Sequence, residues 1–269
     1  MEHFTVLGAS GFIGGHLARH LQARGLDVRT PDRDDPLTGD LGRVIYCIGL
    51  TADFRSRPWD TVEAHVSKLV ELLRRGNFTS LVYLSSTRVY IHLGADRVGE
   101  ESAVLPVDVS DPDEIFNLSK LAGEAACLAS PNPAVRIARI ANTYGDDLTS
   151  DNFLTSIIRD ALDTGHIHLR TALTSAKDYV SVHDVVRALR VLALGGSYRV
   201  YNVASGRNYS HAEIVGWLAE CCGCTVSVKP DAPEIRFPRV SVERLRADFA
   251  YEPAALDQDI RALVEQYRR

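Results

Sequence analysis

Gly8, Gly11 and Gly14 recur at three-residue spacing between an apolar run, Phe4-Thr5-Val6-Leu7, and a stretch that carries Leu17, Ala18 and Leu21 at helical spacing. A strand that turns on glycine into a helix lets backbone approach a pyrophosphate and aims the helix N-terminus at its charge. Gly8, Ser10, Gly11, Phe12, Ile13 and Gly14 therefore form a candidate dinucleotide-binding set. The competing reading is a tight turn that uses glycine only for its backbone freedom. Asp32 supports the first. It follows the second strand-like segment, about 20 residues into the unit, where a carboxylate accepts hydrogen bonds from the adenine ribose hydroxyls and so favours NAD. Its neighbour Arg33 suits a 2′-phosphate and leaves NADP open.

These residues need a scaffold. Hydrophobic periodicity predicts strands over His3–Leu7, Leu26–Thr30, Val44–Ile48, Leu81–Leu84 and Val135–Ile140. Helices are expected after Gly11, over Trp59–Arg75 with Pro58 in its first turn, and over Phe116–Ala129, ended by Ser130-Pro131-Asn132-Pro133. Strands alternating with helices predict an α/β Rossmann fold, a doubly wound parallel sheet covered on both faces. Beyond Gly145 the alternation loosens into a helix near Phe153–Asp163, an apolar segment Tyr179–Leu194, a strand Tyr198–Val203 and a helix His211–Cys221. We expect residues 1–145 to form the dinucleotide domain and 146–269 a smaller mixed α/β cap, with segments near 178–206 returning to the sheet.

Composition narrows the function classes. The 269 residues, 45% hydrophobic and 24% charged, can bury a large core, and the net charge of −5 offers no basic surplus for nucleic acid. No apolar run reaches membrane-spanning length, and the N-terminus lacks the pattern of a secretory signal. Five cysteines, at 47, 127, 221, 222 and 224, are an odd number and point to a reducing cytoplasm. Cys221, Cys222 and Cys224 cluster without a second ligand pair, so no metal site is expected.

The segment Val6-Leu7-Gly8-Ala9-Ser10-Gly11-Phe12-Ile13-Gly14 resembles the opening of the extended short-chain dehydrogenase/reductases, the NAD-dependent epimerase/dehydratase family. Leu84-Ser85-Ser86-Thr87-Arg88-Val89-Tyr90 is similar to that family's active-site serine strand, and Arg139-x-x-Asn142-x-Tyr144-Gly145 to its Arg-x-x-Asn-x-Tyr-Gly segment. Lys177-Asp178-Tyr179-Val180-Ser181-Val182-His183-Asp184-Val185 and Tyr201-Asn202-Val203-Ala204-Ser205-Gly206 extend the resemblance over nearly the whole chain. Departures are Leu7 in place of threonine, His65 where asparagine is common, and a short region from Asp32 to Val44 that leaves no room for one strand–helix pair. His65 is expected on a helix facing the cleft rim.

The resemblance implies an NAD(P)-dependent oxidoreductase or epimerase acting on a nucleotide-activated sugar through a keto-sugar intermediate. Ser86 would bond the substrate oxygen, Lys120 would hold the nicotinamide ribose, and Phe116 occupies the position of the catalytic tyrosine. The missing phenol matters, because a lysine-lowered phenol is the family's proton acceptor. Either the tyrosine was deliberately changed to trap substrate, or a natural member has lost or rerouted the chemistry; the intact Asn117, Ser119, Lys120 and Glu124 favour a recent or engineered change. A proton acceptor elsewhere, Tyr90 or His65, stays open, as does a non-catalytic protein that only binds dinucleotide or sugar nucleotide. Thr87 and Arg88 replace the acid and base of the usual 4,6-dehydratases, leaving 4-epimerase or keto-reductase. Ser86, Thr87, Asn142, Tyr144, Arg236 and Arg239 are the expected substrate contacts, and a homodimer through the helices Trp59–Arg75 and Phe116–Ala129 is implied.

Overall fold

The computed structural model describes residues 2–51, 53–147 and 152–268. In chain order come β1 (His3–Leu7), α1 (Phe12–Gln22), β2 (Asp27–Arg29), β3 (Arg43–Tyr46), α2 (Pro58–Val62), a π-helical turn over Glu63–Ser67, and α3 (Lys68–Arg75). They are followed by β4 (Ser80–Ser86), a 3-10 stretch over Thr87–Leu93, β5 (Val98–Gly99), α4 (Ile115–Ala129), β6 (Val135–Ile140) and β7 (Asn142–Tyr144). Next are α5 (Phe153–Asp163), β8 (His166–Leu169), β9 (Ala176–Ser181), α6 (Val182–Leu194), β10 (Val200–Val203) and β11 (Asn208–Ser210). The chain continues through α7 (His211–Cys222), β12 (Thr225–Val228), β13 (Arg239–Val240), α8 (Glu243–Phe249) and α9 (Leu256–Tyr267).

A six-stranded parallel sheet in the order β10-β6-β4-β3-β1-β2 organises the chain. Its strands are apolar on both sides because helices cover both faces. Phe4, Val6, Ile45, Val82 and Leu84 bury with Leu17 and Leu21 of α1 and Val185, Leu189 and Leu192 of α6. The alternate residues Leu7, Val44, Tyr46, Leu81 and Tyr83 meet Leu69 and Leu72 of α3 and Cys127 of α4. The strand order reverses beside β1, where the chain first runs outward to β2 and then returns past β1 to β3, and ligands of such sheets sit outside the strands' carboxyl ends at that crevice.

The region expected to be short is short. β2 has three residues and is the sheet's edge, and residues 30–42 cross back to β3 without a helix. An ion pair from Arg29 to Asp35 at 2.7 Å, with Asp35 also accepting from the Leu37 N–H, folds that crossing onto itself.

The helix expected over Trp59–Arg75 is interrupted by the π-helical turn. Two buried tyrosines explain how the turn is tolerated: Tyr46 donates to the Ala64 carbonyl at 2.6 Å and Tyr83 to the His65 carbonyl at 3.2 Å. The apolar segment Tyr179–Leu194 divides at Ser181, whose hydroxyl accepts from the His183 N–H and starts α6. β10 then joins the main sheet beside β6. A second core, with Leu154, Ile157, Ile158, Ile214, Leu218 and Ile260, holds α5, α7 and α9 together. Among the described residues, no helix is long and apolar enough to cross a membrane.

Candidate active site

The glycine turn is sterically enforced. Gly8 has φ +82°, and a Cβ on Gly14 would lie 2.2 Å from the Gly8 carbonyl oxygen, so only glycine there lets α1 close on the turn. Among the described residues α1 starts with no side-chain cap and no acidic residue in its first turn, which leaves its first N–H groups to a ligand. Gly11, Phe12, Ile13 and Gly14 line one wall of a cleft of about 470 Å³ at the carboxyl ends of the strands. An uncapped helix start behind a glycine cradle fits the pyrophosphate of a dinucleotide. Ser10 is exposed beside it, while Asp32 and Arg33 lie exposed beyond β2 and outside the cleft wall.

Ser86, at the end of β4, meets Phe116 and Lys120, one turn apart on α4, on the same cleft. Lys120 is buried and its ammonium donates to the Leu84 carbonyl at 2.8 Å. Burial pulls it down from its ordinary value to about 7, with the charge of Glu124 partly opposing. Ser86 accepts from the Arg88 N–H at 3.2 Å. The Phe116 ring is 4% exposed, 5.3 Å from the Phe54 ring and 5.4 Å edge-on from His65, with Lys120 Nζ 5.9 Å from its centroid. The pair of groups that would share a proton is here an amine and a hydrocarbon.

Neither substitute acceptor is available. His65 is not at the rim but fully buried, because the π-helical turn carries it inward. Its Nε2 accepts from the Leu50 N–H at 3.3 Å, which places the proton on Nδ1. Nδ1 then donates to Ser119 Oγ at 2.8 Å, and Ser119 donates to the Phe116 carbonyl at 3.0 Å. Burial, helped by the Lys120 charge, holds His65 neutral by lowering it to about 3. Tyr90 donates to Asn202 Oδ1 at 2.8 Å and accepts from Arg139 at 2.7 Å, and burial pushes its phenol up to about 12. Behind it, Glu124 takes Arg139 through bonds of 2.9 and 2.6 Å and accepts from Ser85 at 2.5 Å, a buried network that fixes β4, α4 and β6 beneath Ser86.

Of the expected substrate contacts, Thr87 and Asn142 line the cleft, Asn142 donating to the Asp178 carbonyl at 2.8 Å. Tyr144, Arg236 and Arg239 are outside its wall. Tyr144 is buried and its hydroxyl turns to Asp259 of α9 at 2.7 Å, Arg236 pairs with Glu234 at 2.9 Å, and Arg239 is exposed on β13. Sequence reasoning overlooked Phe54, Phe153, Lys177 and Phe237 and gave Arg88 a place beside Ser86 without a contact to make; all five are lining residues. Lys177 Nζ sits 5.9 Å from the Phe153 and Phe237 rings, and its ammonium is lowered first by burial and then by the Arg88 charge. Both cations lay inside recognisable segments, and their charge was the available signal.

The model of a family described as NAD dependent epimerase/dehydratase matches residues 40–204. A curated relative, GDP-6-deoxy-D-mannose reductase of Pseudomonas aeruginosa, is 28% identical over 286 residues, covering 93% of this chain and 89% of the relative. Among solved structures, MoeE5 in complex with UDP-glucose and NAD superimposes with TM-score 0.80 at 21% identity, covering 100% of this chain and 99% of its own. RMD from Pseudomonas aeruginosa complexed with NADPH gives 0.79 at 23%, covering 99% of each chain. At these identities the structural matches attest the fold.

Proposed function

Because this chain belongs to the NAD dependent epimerase/dehydratase family, we propose that it binds a nucleotide-activated sugar beside the dinucleotide, with the architecture of an enzyme transferring hydride at a sugar carbon, of keto-reductase or 4-epimerase type. The observation that carries the reading is the convergence of the glycine turn, Ser86 and Lys120 on one cleft. A nicotinamide dinucleotide, when bound, supplies the hydride acceptor or donor. In our reading Gly11, Phe12 and Ile13 hold its pyrophosphate, Asp32 and Arg33 face its adenosine end, and Lys120 holds the nicotinamide ribose. Ser86 bonds the sugar oxygen whose carbon changes oxidation state. Thr87 and Asn142 lie against the sugar, and Lys177 with the start of α5 takes the diphosphate.

The proton that accompanies hydride has no carrier at Phe116, so turnover is expected to be slow as the sequence stands. Keto-reduction is favoured over epimerisation by the near full-length similarity to a deoxysugar reductase. A second reading, a protein that binds without turnover, draws on two observations: Phe116 is packed between Phe54 and His65, and His65 and Tyr90 are both held in hydrogen bonds within the protein. We also propose a homodimer through the α2–α3 and α4 surfaces, and a cytoplasmic location supported by five free cysteines among the described residues.

The test compares the chain with Phe116→Tyr on nucleotide sugars and their 4-keto derivatives, with NAD, NADP and the reduced cofactors, following products by chromatography and mass. Tyrosine is expected to raise turnover by about 10²–10⁴-fold, the usual worth of a positioned proton-transfer group. If both proteins bind dinucleotide and sugar nucleotide yet neither converts anything, the binding-protein reading stands instead.

A further inference from the structure

Arg88 is a cation that the proposed reading leaves without work. Its guanidinium carbon lies 5.5 Å from the Phe54 ring centroid and 5.9 Å from that of Phe116, and its side chain lines the cleft two residues after Ser86. Nε is buried with no hydrogen-bond partner, and the side chain has no ion pair among the described residues. The carboxylates whose charge reaches it are Glu114, Asp113 and Asp111. Each is engaged elsewhere: Glu114 with Asn117 at 2.9 Å and His92 at 3.1 Å, Asp113 with Arg55 at 2.7 Å, Asp111 with the Asp113 N–H at 2.9 Å. The second oxygen of Glu114 is buried without a partner, yet no hydrogen bond joins it to Arg88.

A partly buried guanidinium without an acceptor is costly until a ligand supplies one. With two aromatic rings at 5.5 and 5.9 Å from its guanidinium carbon and no acceptor of its own, Arg88 keeps its N–H fork for a ligand, and that fork matches a planar carboxylate through two parallel bonds. The charge of this cation reaches Lys177, but the two enter the cleft from different elements and beside different rings. Lys177 enters from β9 beside Phe153 and Phe237, whereas Arg88 follows Ser86 on the β4 side and faces Phe116, where the reacting sugar carbon belongs. We infer that Arg88 is a specificity-determining residue that binds a carboxylate carried by the sugar, so that the cleft selects nucleotide-linked uronic acids over the corresponding neutral hexoses. This rests on the nucleotide-sugar reading of the cleft and adds the sugar class to it.

The experiment titrates matched acid and neutral probes, UDP-glucuronate against UDP-glucose and GDP-mannuronate against GDP-mannose, into the NAD-loaded chain by calorimetry. The quantity read is the ratio of the two dissociation constants within each pair. The unsubstituted chain is expected to prefer the acid by about tenfold or more, the scale of a charge-assisted hydrogen-bonded pair. Arg88→Gln should bring that ratio to about one, and Arg88→Lys, which keeps the charge and loses the fork, to an intermediate value, with NAD affinity serving as the folding control for both. A ratio near one in the unsubstituted chain overturns the inference and leaves the nucleotide-sugar reading standing. So does a preference that survives in Arg88→Gln, or an equal weakening of both members of a pair, which would assign Arg88 to the diphosphate. If neither pair binds at all, the nucleotide-sugar reading falls and the inference falls with it.

Discussion

Lys120→Met should stabilise the fold at neutral pH while damaging the site. The lysine titrates at about 7 in the folded chain against 10.5 as its ordinary value, because burial disfavours the ammonium. Between those two values the unfolded chain holds a proton here that the folded chain has released, so stability rises with pH, by up to about 1.4 kcal/mol per pH unit from this group. Below the lower value both states are protonated and the whole cost of burying the charge stands, roughly 5 kcal/mol as an upper bound. Methionine removes that cost and also the bond to the Leu84 carbonyl, and a buried acceptor left unpaired costs about 1–3 kcal/mol. The variant should therefore exceed its parent by about 2–4 kcal/mol near pH 6.5, with the advantage vanishing near pH 9. Urea unfolding of both proteins across this range measures the difference, in which titrations common to both cancel. A difference independent of pH, or a variant less stable than its parent at pH 6.5, would refute the assignment of a buried, readily deprotonated amine.

Gly14→Ala places a Cβ 2.2 Å from the Gly8 oxygen and 2.8 Å from its carbonyl carbon, so the turn must move; we expect a loss of about 1–3 kcal/mol in stability and at least tenfold weaker dinucleotide binding, read by melting and by nicotinamide fluorescence. Glu124→Ala strands the buried Arg139 guanidinium, which should cost about 3–5 kcal/mol in chemical denaturation, far more than loss of an exposed pair such as Arg75–Glu71. The chain should sediment as a dimer at micromolar concentration, and Trp59→Asp, on the 81% exposed α2 tryptophan, should shift it to monomer; sedimentation of the unsubstituted chain as monomer would end the dimer proposal.

Much of the sheet was legible because its signals are local. Glycine spacing marks the first turn, and apolar strands bounded by helical periods give β1, β3, β4 and β6 within a few residues of their observed ends. Even the absent strand–helix pair could be inferred, since residues 30–42 are too few to hold one. The π-helical turn was not legible. It depends on Tyr46 and Tyr83 reaching carbonyls from two other strands, and with it went the depth of His65. Tyr144 shows the same limit: a motif fixes where a residue stands along the chain, but its hydroxyl was claimed by Asp259 on the last helix, far away in sequence. Arg88 and Lys177 were visible as letters; that their heads would be partly enclosed against aromatic rings depends on Phe54, Phe116, Phe153 and Phe237 converging from four segments.

The three-residue edge strand β2 and its helix-free return bear on residence time. With one strand–helix layer missing, less protein surface flanks the adenosine half of a dinucleotide, and most affinity differences between related complexes are expressed in the rate of departure. Under the proposed cofactor placement, exchange of spent for fresh cofactor is expected to be faster than in a chain that encloses both halves. An enzyme that reduces a keto sugar must release oxidised dinucleotide after every turnover, whereas one that withdraws hydride and returns it to the same molecule works best if the cofactor never leaves. The open edge is what the proposed keto-reductase reading would call for.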